Sequence, residues 1–194
     1  FLKKDIKEKF GVDVIFFNGD FPALPSKYKG FFDFAITDAV LEHVRDLTDF
    51  SKNIKDFLKD GAIFYASFGP LWYGPGGDHA NYSDGNEFAH LVLPKSEYDR
   101  RVREELSEVK DDSCEAAFMI QEGLFSYLKA EEYFKVLNKE GFKFLRVYSK
   151  ISYPSIKLFE NDTVLFNKMN ELELPAFDRF CSGFYFWLRV DKSK

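Results

Sequence analysis

The sequence predicts an α/β fold built on a largely parallel sheet. Residues 32–37 read as a strand, 47–58 as a helix and 62–68 as another strand, joined by short links. That strand–helix–strand order is the unit from which parallel sheets are assembled. The hydrophobic spacing changes as this assignment requires. Phe34-Ala35-Ile36 is an apolar run without helical period, whereas Leu47, Phe50, Ile54, Phe57 and Leu58 share one helical face. The alternation recurs further on, with a helix over 131–139 and a strand over 142–148.

The remaining elements follow in order. Residues 12–17 form a short apolar run stopped by Asn18-Gly19-Asp20, which predicts a strand and a turn. Residues 21–30 hold two prolines and read as a loop. Phe34, Ala35 and Ile36 suit a strand covered on both faces. Asp46 is placed to cap the next helix, and Lys59-Asp60-Gly61 to end it. Residues 69–93 carry five glycines, two prolines, two histidines, Trp72, Tyr73 and Tyr82 with little periodicity. A loop of that length inside a domain is either functional or disordered, and its aromatic residues argue against disorder. Ser96 can cap a helix whose inward face is Tyr98, Val102, Leu106 and Val109. Asp111-Asp112-Ser113 interrupts it, and 114–128 has no clear period. Phe134 and Leu137 face inward on the helix over 131–139, which Asn138-Lys139-Glu140-Gly141 closes. Residues 151–156 are unassigned, with Pro154 as a break; 163–174 can be helical, and the aromatic run 180–190 predicts a last strand.

The bulk numbers suit one globular domain. Of 194 residues, 45% are hydrophobic and 30% charged, enough to bury a core. Most of the 24 Phe are assigned to that core. A net charge of −5, with Arg100-Arg101-Val102-Arg103 followed by Glu104-Glu105, argues against a nucleic-acid surface. Cys114 and Cys181 are far apart and in no metal-ligand spacing, as reduced cytoplasmic thiols would be. No apolar run reaches membrane-spanning length.

The segment Phe32-Asp33-Phe34-Ala35-Ile36-Thr37-Asp38-Ala39-Val40-Leu41-Glu42-His43-Val44 resembles the fourth-strand segment of class I S-adenosylmethionine-dependent methyltransferases. Phe16-Phe17-Asn18-Gly19-Asp20-Phe21 is similar to the end of that family's third strand, and 62–68, 130–148 and 180–190 to its later strands and last helix. The resemblance implies a three-layer Rossmann-like sheet, mostly parallel with an antiparallel last strand added at the sheet edge. It also implies a longer natural protein, because the family's first strands and Gly-rich cofactor loop have no counterpart in these residues. The whole of 1–194 is then one methyltransferase-like domain, with 69–128 an insertion forming a lid over the active site.

What the resemblance implies for the site is specific. S-adenosylmethionine is the expected cofactor. Asp20 would accept a hydrogen bond from the adenine amino group and Phe21 would cover the ring. Main-chain groups of Thr37 and Asp38 would face the methionine part. The expected reaction is methylation of oxygen or nitrogen on a small-molecule or saccharide-type acceptor. The acceptor has a proton to lose, and imidazoles titrate near neutrality, so the expected bases are His79, then His43, then His90. Trp72 and Tyr73 could stack on a sugar face or an aromatic ring, or pack the lid. Glu42 with the three histidines has the donor types of a mixed metal site. Ala39, however, interrupts the acidic spacing that metal-dependent RNA-end methyltransferases carry on this loop, and no metal ligand is expected. The competing expectation is a methyltransferase-like binding or scaffold module without catalysis.

Overall fold

In the computed structural model, which describes residues 2–19, 21–80, 86–106 and 112–193, helix α1 (Leu2–Phe10) precedes strand β1 (Phe32–Asp38). Helix α2 (Leu47–Phe57) and strand β2 (Leu58–Phe68) follow. The insertion then holds α3 (Ala89–Val92), α4 (Lys95–Arg101), a π-helical turn over Val102–Leu106, and α5 (Asp112–Glu122). The chain closes with α6 (Ala130–Lys139), β3 (Phe142–Ile151), α7 (Tyr153–Asn161), α8 (Thr163–Glu171), α9 (Ala176–Phe180) and β4 (Cys181–Val190).

The four strands form one sheet in the order β1-β2-β4-β3. β1 and β2 are parallel, and β4 runs antiparallel to both β2 and β3. Three strands therefore point one way and the last one opposes them, as expected. The last strand does not lie at the edge, however. It is inserted between β2 and β3, where its aromatic residues are covered by both neighbours.

The core lies on one face of this sheet. Phe64, Ala66 and Phe68 of β2 pair in register with Leu188, Phe186 and Phe184 of β4, and all six are buried. Helices α2 and α6 cover them. Each fully buried Phe contributes about 1.5–3 kcal/mol relative to exposure. Phe68 meets Tyr133 of α6 at 4.9 Å and Phe186 edge-on at 5.2 Å, and Phe-rich packing of this kind accounts for much of the aromatic content. Asp46 caps α2 by accepting from the Asp49 N–H at 2.8 Å, and Leu47, Ile54 and Phe57 are buried.

Several expectations are corrected. Residues 12–17 are not a strand; Val12, Ile15, Phe16 and Phe17 are exposed, and among the described residues they have no neighbouring strand to complete a ladder. β1 is not covered on both faces. Ala35 and Thr37 turn toward the core, while Phe34 and Ile36 are 53% and 66% exposed. Helix α2 ends at Phe57 rather than at Gly61. Its last carbonyls need no glycine cap because the Gly30 and Phe31 N–H groups donate to the Asp56 and Phe57 oxygens at 2.8 and 3.0 Å. Residues 59–61 instead lie in an irregularity of β2, where the register steps from Phe32↔Leu58 to Phe34↔Ile63. Helix α4 starts one residue before Ser96, with Pro94 at its cap position, and passes into the π-helical turn before residues 107–111, which lie outside the described residues. Pro154 does not break a helix but starts α7, where its missing N–H has no intrahelical partner to lose.

Candidate active site

The carboxyl ends of β1 and β2 are stapled together. The last pair in register is Asp38↔Ser67. Beyond it Ala39 adopts a left-handed φ of +52° and donates to the Ser67 carbonyl at 2.8 Å. A 3₁₀ turn over Leu41–His43 follows. Within it Glu42 is 1% exposed, and its Oε1 accepts from the Gly69 N–H at 2.9 Å. Burial raises the Glu42 pKa, and the Gly69 N–H, its own N–H and nearby His43 oppose that rise. Oε2 of the same carboxyl is buried without a hydrogen-bond partner.

The far end of the insertion returns to this turn. The Ser126 N–H donates to the Glu42 carbonyl at 2.8 Å. The Leu124 carbonyl lies 2.6 Å from His43 Nδ1. A carbonyl can only accept, so Nδ1 carries a hydrogen and donates it. Arg45 fastens the same segment by donating to the Gly123 carbonyl from Nε at 3.0 Å and from Nη2 at 2.8 Å.

The near end of the insertion brings in the second imidazole. His79 holds φ at +61°, a conformation uncommon outside glycine. The loop below it is wound tightly: a Cβ on Gly77 would stand 2.3 Å from the Trp72 carbonyl, so only glycine fits there. The His79 ring lies 4.9 Å from the His43 ring, and Phe125 stands 5.5 and 5.6 Å from the two. Burial lowers the His79 pKa to about 4, helped by His43 and opposed by a hydrogen bond to the Pro70 carbonyl and by Asp78. The imidazole is therefore neutral at neutral pH, and its Nε2 is buried without a partner. The ligand-capable atoms of Glu42, His43 and His79 all lie within 4.8 Å of one another.

The third histidine is elsewhere. His90 is fully buried; its Nε2–H donates to the Trp72 carbonyl at 2.7 Å and its Nδ1 faces Asp78 Oδ1 at 3.8 Å. Burial lowers its pKa against the pull of Asp78. Tyr98 donates to the other Asp78 oxygen at 3.0 Å. His90 thus holds the Trp72 backbone, while the half-buried Trp72 ring packs on Phe125 at 4.8 Å and Tyr127 at 4.7 Å. Tyr73 is half-buried next to Trp72, and burial followed by Glu132 raises its pKa, so it stays protonated.

On the other side of the turn a cavity of about 630 Å³ opens, lined by Phe17, Phe21, Leu24, Val40, Val44 and Phe50 among others. Phe21 stands edge-on to Phe50 at 5.4 Å. Val40 and Val44 bracket Leu41–His43, so one turn separates this cavity from the His43–His79 pair. Of the expected cofactor residues, Phe21 lines the cavity; Thr37 is half-buried and Asp38 exposed at the end of β1, and neither lines it. Asp20 and Tyr82 lie outside the described residues. The residues that sequence reasoning missed are Leu124, Phe125 and Tyr127. They come from the stretch without period, and no local pattern marks their return to the strand ends.

No protein-family model matches the sequence, and no curated protein matches it. Solved structures do resemble it. One is a protein from Galdieria sulphuraria provisionally described as a sarcosine dimethylglycine methyltransferase, with a TM-score of 0.50 at 12% identity over 97% of this chain. Another is from Listeria monocytogenes, provisionally described as an S-adenosylmethionine-dependent methyltransferase, with a TM-score of 0.50 at 14% identity, also over 97%. The chain spans 64% of the length of the first and 75% of the second. With β4 between β2 and β3 and the catalytic candidates at the strands' carboxyl ends, the chain has the class I methyltransferase fold.

Proposed function

We propose that the protein is an S-adenosylmethionine-dependent methyltransferase acting in the cytoplasm on oxygen or nitrogen of a small-molecule or saccharide-type acceptor. The observation that carries this reading is the turn Leu41–His43, which joins a mainly apolar cavity, lined also by Asp46, Asp49 and Asn53, to the His43–His79 pair. The location agrees with where open α/β sheets bind ligands. The likeness to methyltransferase folds supports the reaction class.

The residues present suit the adenine and methionine ends of the cofactor. Phe21 and the apolar cavity wall would receive the adenine ring, with Asp20 accepting from its amino group. Main-chain groups of Thr37 and Asp38 would hold the methionine end. When bound, S-adenosylmethionine supplies an electrophilic methyl group. The protein's own part is on the acceptor side. The Nε2 of His79, neutral and without a partner, takes a hydrogen bond and then the proton from the acceptor's hydroxyl or amine. His43, fixed by the Leu124 carbonyl, presents a second acceptor atom beside it. His90 acts as a positioning residue for Trp72 rather than as a base, because its side chain is fully buried. Trp72 and Tyr73 form the lid wall against which the acceptor lies.

Among the described residues no helix is long and apolar enough to cross a membrane. With the acidic net charge of −5, a small soluble acceptor is favoured over a nucleic acid. Isothermal titration of S-adenosylmethionine into the full natural protein, with the strands and Gly-rich loop that the resemblance implies ahead of these residues, tests the reading. Saturable binding is expected, weakened about tenfold by Phe21→Ala through loss of ring contact. Absence of any binding refutes it.

A further inference from the structure

We propose that Glu42, His43 and His79 form a binding site for one divalent transition-metal cation. The inference rests on the methyl-transfer reading only for its chemical consequence; the site itself stands on geometry.

Three observations converge. Each residue has one ligand-capable atom already used by the protein, and in Glu42 and His79 the second one is buried without a partner. Glu42 spends Oε1 on the Gly69 N–H and leaves Oε2 buried and unpartnered. His43 spends Nδ1–H on the Leu124 carbonyl. His79 leaves Nε2 buried and unpartnered, while the Pro70 carbonyl takes its ring hydrogen bond. Unpaired buried acceptors are costly and call for an explanation. Secondly, one ligand-capable atom from each of the three residues lies within 4.8 Å of the other two. Ligand atoms about 2.0–2.1 Å from a shared zinc-sized cation are about 3.4 Å apart, so small side-chain rotations close the set. Thirdly, backbone carbonyls brace both imidazoles from behind. Metal-binding histidines almost always donate their second N–H in this way, which fixes the tautomer and orients the ring.

The donor set also selects the ion. Two imidazole nitrogens and one carboxylate oxygen suit zinc, cobalt, iron or manganese and not magnesium or calcium, which favour all-oxygen shells. His90 is not part of the set, since its Nε2–H is spent on Trp72 and its Nδ1 faces Asp78. Three protein ligands leave coordination positions open. An acceptor hydroxyl bound there would have its pKa lowered, its O–H bond breaking with the proton leaving to water. The histidines would then hold the cation rather than take that proton themselves.

The test uses untagged protein stripped of metal with EDTA and titrated with Co²⁺. One equivalent should produce a visible d–d absorption band, displaced by Zn²⁺ and untouched by millimolar Mg²⁺. Two exchangeable hyperfine-shifted imidazole N–H resonances should appear in the proton NMR spectrum of the Co²⁺ form, a readout that needs no variant. Glu42→Gln, His43→Asn and His79→Asn should each weaken Co²⁺ binding at least about tenfold. Absence of a stoichiometric band, a single shifted resonance or none, or binding that survives all three substitutions would overturn the cation site. S-adenosylmethionine binding, titrated separately, reports on the methyl-transfer reading alone. Cofactor binding without Co²⁺ binding sinks the cation and leaves that reading intact, while the reverse result sinks the reading and leaves the cation.

Discussion

Replacing Glu42 by Ala should destabilise the metal-free protein, whereas replacing it by Gln should not. The carboxyl is 1% exposed and its Oε1 accepts from the Gly69 N–H. Alanine removes that acceptor and leaves a partly buried donor unsatisfied, which costs about 1–3 kcal/mol before any cavity is counted. For a chain of this length each kcal/mol shifts the melting temperature by roughly 2–4 °C, so Glu42→Ala should melt about 4–8 °C lower for a loss of about 2 kcal/mol. Glutamine keeps an oxygen for Gly69 and carries no charge to desolvate. Burial holds the Glu42 pKa above its ordinary value of 4.5 in the folded state. For an acid raised on folding, the folded state binds the proton more tightly than the unfolded state. Its contribution is fully present below 4.5 and is lost as pH rises toward the folded pKa. At neutral pH the buried carboxylate therefore costs stability, and Glu42→Gln should equal or exceed the parent protein; in acid the advantage should vanish. Urea unfolding in EDTA at pH 7 and pH 4 measures both. A Glu42→Gln variant as unstable as Glu42→Ala at pH 7 would refute the reasoning, because it would mean that the negative charge itself is held by a protonated neighbour.

Other expectations can be checked alongside it. Phe186→Ala, which empties a fully buried position of β4 between Phe68, Phe144 and Phe184, should lose about 3–5 kcal/mol in denaturant titrations. Asp46→Ala removes the cap on the Asp49 N–H and should cost about 0.5–2 kcal/mol, with Asp46→Asn restoring most of it. Burial pushes the Cys181 thiol up to about 11. In a Cys114→Ser background it should therefore react with a thiol reagent only as fast as the protein unfolds.

Much of the fold could be read from the residues because local and long-range preferences agree there. The helical spacing of Leu47, Ile54 and Phe57 and the Asp46 cap have the same meaning alone and in the folded chain. The errors arose where a tertiary partner decides. Residues 12–17 have strand composition, but a strand exists only with a neighbour. Phe34 and Ile36 have core composition, but β1 turns that face outward. Helix α2 ended early because the backbone of Gly30 and Phe31 satisfied its carbonyls, a contact spacing cannot reveal. At the site, the adjacency of Glu42 and His43 was visible, and His79 stood out in a loop rich in glycine and aromatics. That these meet, while His90 turns to Trp72 and Asp78, depends on the path of the insertion. Leu124 and Phe125, which complete the site, carry no signal in a stretch without period.

The turn Leu41–His43 has one more consequence. It stands between the cavity and the imidazole pair: Val40 and Val44 at its ends line the cavity, and the His43 ring within it meets the His79 ring. The Leu124 and Ser126 backbone is hydrogen-bonded to it as well. A ligand in the cavity that displaces the turn would move His43 and the Leu124 and Ser126 backbone with it. Ligands on the two sides should then alter each other's affinity by the same factor, in either order of addition. A turn of three residues would in this way let each ligand report on the presence of the other.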